Sequence, residues 1–115
     1  MKIIIADKAK KQILRTAKYI QGQFGKEASM EFRNEIQLVR SLLRKNPNMG
    51  PEEPLLTEAS VTYRSIVVNH LNKIVYWINN DVIEIVDLWD CRREPQKQAE
   101  HTMLSENPKD SPIST

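Results

Sequence analysis

Four cations stand in or just beyond runs of strand-forming residues: Arg64, Lys73, Arg92 and Arg93. Guanidinium and ammonium groups on a sheet surface can bind phosphate, or stabilise the charge of a phosphoryl transition state, without any metal. A structural reading competes with this one: Arg64 pairs with an acid such as Asp87 or Glu84, and Arg92 and Arg93 are ordinary surface charges. Other chemistries have less to draw on. His70, His101 and the single cysteine, Cys91, give no ligand pair at helical or turn spacing, so no metal site is expected. There is no Gly-rich phosphate loop and no G-x-S-x-G elbow, so no cofactor is expected either. Cys91 has no catalytic histidine beside it in sequence and reads as an inert thiol. Trp77 and Trp89 read as sheet packing rather than as platforms for bases.

The elements that must position these cations follow from periodicity. Residues 2–6, Lys-Ile-Ile-Ile-Ala, read as a short buried strand closed by Asp7, which can cap the helix that follows. From Asp7 to Phe24 the residues Ala9, Ile13, Ala17, Ile20 and Phe24 step by three or four and line one side of an amphipathic helix. Lys8, Lys11, Arg15 and Lys18 fill much of its wet side. Gly25 ends that helix, and a second run, Ala28, Phe32, Ile36, Val39 and Leu43, reaches Asn46-Pro47. So short a link predicts an antiparallel helical hairpin.

Residues 46–59 contain Pro47, Gly50, Pro51 and Pro54 and read as a long connection, neither helix nor central strand. Beyond it, Val61–Asn69, Lys73–Asn79 and Val82–Trp89 read as three strands, with turn-formers around Leu71-Asn72 and at Asn79-Asn80-Asp81. Links this short join antiparallel neighbours. The first of these strands is apolar on both sides, which suggests that the hairpin covers one face and the other forms a partly sheltered concavity. The order is β-α-α-β-β-β, an α+β domain. Pro95 can open one more short helix, after which the chain turns polar and rich in Ser and Pro.

Length and charge set the bounds. With 115 residues there is room for one domain, and 40% hydrophobic residues supply a core without staples. The lone cysteine points to a reducing compartment, and the run Ile3–Ala6 is far short of a secretory segment, so a cytoplasmic protein is expected, with no membrane span. Residues 1–50 hold eleven Lys/Arg against four Asp/Glu, and residues 51–115 hold six against eleven. That asymmetry is either a solvated basic helix surface or a face that meets nucleic acid or an acidic partner.

One family shares the ordered set formed by the opening Ile-Ile-Ile-Ala-Asp-Lys-Ala, the basic first helix, Asn46-Pro47-Asn48-Met49-Gly50, Tyr63-Arg64, Lys73-Ile74-Val75-Tyr76 and the ending Arg92-Arg93-Glu94-Pro95. In these features the chain resembles the RelE/ParE superfamily of toxins from bacterial type II toxin–antitoxin modules. The likeness covers residues 1 to 97 and leaves 98–115 as a polar tail, expected to be disordered.

The resemblance implies a growth inhibitor silenced by a cognate antitoxin protein, meeting operator DNA only through that antitoxin. Some members cleave messenger RNA in the ribosomal A site without metal, and others poison DNA gyrase. On the nuclease pattern Lys73, Arg92 and Arg93 would bind phosphate, and Glu58, His70 or Asp90 would supply the base. The C-terminal tyrosine of that pattern is missing, since only Gln96, Lys97, Gln98 and His101 follow Arg93 within the same reach. This departure favours the gyrase-directed, ParE-like branch, with Arg64, Arg92 and Arg93 contacting the target from one end or face of the sheet. Lys11, Arg15 and Lys18 are expected to meet an acidic segment of the antitoxin. An inactive, purely partner-binding member is the third reading.

Overall fold

Ile3 and Ile5 face the interior while Lys2 and Ile4 face water, so β1 (Lys2–Ile5) alternates as a half-buried strand does. The computed structural model describes residues 1–93 and 95–105. In it β1 is an edge strand, with Ile4 44% exposed, rather than the buried strand that its composition suggests. Ala6 turns strand into helix. Its N–H donates to the Ile85 carbonyl at 2.9 Å, and its own carbonyl accepts from Lys10 to open α1 (Asp7–Phe24). Asp7 therefore lies in the first turn rather than at the cap, where its charge still complements the helix dipole.

Ala9, Ala17 and Ile20 are the buried stripe of α1, but Phe24 at its end is 69% exposed. Gly25, at φ 98°, is the whole link to α2 (Lys26–Lys45), which buries Phe32, Ile36, Val39 and Leu43 against the same core. The Ser29 hydroxyl, also buried, donates to the Ala17 carbonyl at 2.9 Å and ties the two helices together.

The connection that follows contains a single 3-10 turn, Pro54–Leu56, which the proline content had argued against. It wraps the edge of β2 (Arg64–Val68): the Ser65 N–H donates to the Pro51 carbonyl, and the Glu53 N–H to the Tyr63 carbonyl. Tyr63 is paired with the connection, and pairing with the next strand begins only at Arg64, so β2 starts three residues later than periodicity suggests. Its turn into β3 (Asn72–Asn79) is also displaced, centred on Asn69 and His70, both at positive φ, rather than on Leu71-Asn72. β4 (Val82–Asp90) completes a sheet in the order β1-β4-β3-β2, parallel between β1 and β4 and antiparallel elsewhere.

Both faces of this sheet are covered. The hairpin packs on Val68, Ile74, Tyr76, Ile83, Ile85 and Leu88. On the other side, where a sheltered concavity was expected, Leu56 and Tyr63 from the connection join Ala99 of α3 (Pro95–Ser105) over Val75 and Trp89. The boundary expected at residue 97 falls inside α3, so residues 98–105 are helical, and 106–115 lie outside the described residues. Among the described residues, no helix is long and apolar enough to cross a membrane.

Candidate functional site

β1 stops at Ile5, which leaves the last residues of β4 without a strand neighbour on that side, and α1 leans into the vacancy. Lys8 of α1 makes a 3.0 Å ion pair with the buried Asp87. The same Asp87 carboxylate oxygen accepts from the Thr102 hydroxyl of α3 at 2.9 Å, and Thr102 in turn accepts from the indole N–H of Trp89 at 3.1 Å. One buried acid thus joins α1, β4 and α3.

Gln98, one turn before Thr102 on α3, clamps Asp90 by accepting from its N–H at 2.8 Å and donating to its carbonyl at 2.9 Å. The Asp90 carboxylate then accepts from the Arg92 backbone N–H at 2.9 Å and from the Arg92 guanidinium at 3.3 Å. Burial pushes the Asp90 carboxyl up, but these hydrogen bonds and the charges of Arg92 and Arg93 outweigh it and hold the group below the usual carboxylate range. The chain is thereby turned so that Arg92 and Arg93 stand beside α1.

Two adjoining clefts result. One, of about 580 Å³, is lined by Arg15, Arg93, Lys97 and His101 over a polar floor that includes Asn72 and Gln98. The second, of about 850 Å³, continues along α1 past Tyr19 and Phe24 and takes in Arg92 and Leu71. Arg15 and Arg93 line both.

The structure separates the remaining candidates. Arg64 starts β2 opposite Tyr76 on the hairpin face, at the end of the strand far from the Val68, Asn72 and Asp90 row, so it does not converge with Arg92 and Arg93. Its guanidinium donates to the Gly50 carbonyl at 2.7 Å and pairs with neither proposed acid, since Asp87 holds Lys8 and Glu84 accepts from the Trp77 indole at 2.9 Å. Lys73 lies on the opposite face, 2.8 Å from the buried carboxylate of Glu53 and 5.8 Å from the Trp89 ring centre. Glu58 is exposed in the connection, and His70 is exposed at the β2–β3 turn. Lys11 and Lys18 are exposed on α1 outside the clefts, whereas Arg15 shares them with Arg93.

Sequence reasoning named Asp87 only as an acid for Arg64 to pair with, and gave no role to Glu53, Gln98 or Thr102. Asp87, a lone acid among the apolar residues of a strand, carries a usable signal, and so does the four-residue spacing of Gln98 and Thr102. Glu53 sits in an aperiodic loop and carries none. Burial raises the Cys91 thiol, and although the Lys73 charge opposes this, the negative charges of Asp90 and Glu53 add to it, so the group is held in the thiol form. Among the described residues no group of three or more His, Cys, Asp and Glu side chains is arranged to hold a metal ion.

The family model for the ParE toxin of type II toxin–antitoxin systems, parDE, matches residues 3–95. The chain belongs to this ParE toxin family. The match runs from β1 to the first residue of α3 and includes Arg15, Arg92 and Arg93. Among solved structures, a chain from the chromosomal ParDE TA system of P. aeruginosa is 15% identical with a TM-score of 0.64, covering 78% of this chain and 95% of that one. A chain of the YoeB dimer from Staphylococcus aureus is 20% identical with a TM-score of 0.49, covering 76% and 92%. The first of these shares the fold: an N-terminal strand, a helical hairpin and a three-strand meander. No curated protein matches the chain.

Proposed function

We propose that this ParE-family toxin inhibits DNA gyrase through a protein contact centred on Arg92 and Arg93, with Arg15 beside them, and that a cognate antitoxin silences it. The observation that carries this reading is the fate of the nuclease set. Lys73, the cation expected to hold phosphate on the sheet, is neutralised by Glu53 at 2.8 Å on the α3 side. Asp90 is an anion committed to Arg92 and held below the usual range, which makes it a weak proton acceptor. Glu58 lies apart from it in the connection.

Exposed arginines near a concave surface are well suited to a protein target, because their planar forks give charged hydrogen bonds that become strong once an interface excludes water. The expected antitoxin contact uses the basic face of α1, with Lys11, Arg15 and Lys18 meeting acidic residues. That an antitoxin partner exists is supported by the P. aeruginosa neighbour, which comes from a ParDE system; the face it uses rests on the charge of α1 alone.

The test is a supercoiling assay with purified gyrase, run beside ribosomes programmed with messenger RNA. Inhibition of supercoiling with intact message supports the proposal, and the reverse pattern overturns it. Arg92→Ala with Arg93→Ala should weaken inhibition by roughly tenfold or more. The thermal midpoint should fall only slightly, since both side chains are exposed and the Arg92–Asp90 pair lies at the surface.

A further inference from the structure

The two clefts form one groove, because Arg15, Thr16, Asn72, Asp90 and Arg93 line both. It follows α1 from Lys8 to Phe24, about 24 Å at ~1.5 Å per residue. Its positive charge is only partly spoken for. Lys8 is held by Asp87 and Arg92 by Asp90, whereas among the described residues the guanidinium groups of Arg15 and Arg93 carry neither an ion pair nor a hydrogen bond. At the far end, in a stretch that Glu31 also lines, stand Tyr19, 52% exposed with its hydroxyl engaged by Arg92, and Phe24, 69% exposed, both with most of the ring surface in water.

Unpartnered guanidinium forks match phosphate, and exposed ring faces match bases. Cations and aromatics along one groove therefore complement both halves of a nucleotide. The acidic antitoxin segment expected at Lys11, Arg15 and Lys18 accounts for the cations of α1 but not for the exposed rings, which a nucleotide also engages.

We infer that this groove binds a single strand of DNA, with backbone phosphates at Arg15 and Arg93 and bases against Tyr19 and Phe24. The gyrase reading enters only as the source of the strand: a toxin seated on an enzyme that works on DNA would grip that enzyme's substrate as well. Binding itself needs no gyrase.

Fluorescence anisotropy of the full chain with a labelled single-stranded DNA of about 12 nucleotides reads the inference directly. The matching duplex, the matching RNA and a polyglutamate peptide of similar charge are the competitors. Saturable binding is expected, strongest for the single-stranded DNA. Arg15→Gln with Arg93→Gln should weaken it at least roughly tenfold and flatten the slope of log affinity against log salt by about 1.4, the share of two phosphates. Tyr19→Ala with Phe24→Ala should weaken binding without changing that slope. Lys2→Gln with Lys45→Gln removes equal charge outside the groove and should change little.

An equal loss in that last pair, absence of DNA binding, or tighter binding of the RNA or the peptide would each overturn the inference. DNA binding without gyrase inhibition would uphold the groove and remove the gyrase reading. Circular dichroism of each variant separates lost contacts from lost folding.

Discussion

The carboxylate of Glu53 is buried, and its charge survives because donors surround it. Burial alone would raise its pKa, but the Lys73 ammonium, the Leu55 N–H and the Ser65 hydroxyl outweigh burial and hold it below its ordinary 4.5. The unfolded chain therefore binds the proton more readily. This contribution to stability is complete above about pH 4.5 and is lost as pH falls through the folded pKa. Urea unfolding across pH should show that acid-side loss, and Glu53→Gln should flatten it. At neutral pH the same change should cost about 2–3 kcal/mol, because Lys73 is left partly buried without its counter-charge. A second residue-scale test concerns close approach. A Cβ on Gly50 would lie 2.8 Å from the Ser65 carbonyl oxygen and 2.9 Å from both Ile66 Cγ1 and the Tyr76 hydroxyl. Gly50 also donates its N–H to that hydroxyl at 3.0 Å. Gly50→Ala should thus destabilise the fold by about 1–3 kcal/mol, measured as a lower urea midpoint.

Among the elements, α3 is held by polar contacts as much as by its apolar residues. Thr102→Val removes the donor to Asp87 and the acceptor for Trp89 while keeping the shape. It should cost about 1–3 kcal/mol and speed amide exchange in α3 before the rest of the chain. Unchanged exchange there would mean that Ala99 and Met103 dock the helix by themselves. The same contrast explains what was legible in the sequence. α1 and α2 could be read because a stripe such as Phe32, Ile36, Val39 and Leu43 has to face a core, and its period shows this directly. The extent of α3 was hidden because Gln98 and Thr102 dock it through hydrogen bonds, to which apolar periodicity is blind. Site geometry was harder still. Arg64 and Arg92 looked like neighbours until the register placed Arg64 opposite Tyr76, four residues along from the Val68 and Asn72 pair.

For the whole molecule, the uneven charge of the chain becomes a basic first helix, with Lys11 and Lys18 exposed on α1 and Arg15 lining the clefts together with Arg93. If an acidic antitoxin segment docks there, reversing Lys11, Arg15 and Lys18 to glutamate should slow association at low salt, and added salt should erase the difference. Stopped-flow mixing with the cognate antitoxin measures this, and an unchanged association rate would rule out electrostatic capture by that helix. The fold supplies the frame for a target contact, with the groove opening where β4 meets α1 and α3. The proposed action of the free toxin is on gyrase, with messenger RNA left uncut. It is tested most directly by adding the purified chain to gyrase and relaxed plasmid and following supercoiling, with message cleavage on programmed ribosomes scored in parallel. Blocked supercoiling or trapped DNA breaks with the message intact is the expected result. Cleavage at codon boundaries with normal supercoiling would contradict it.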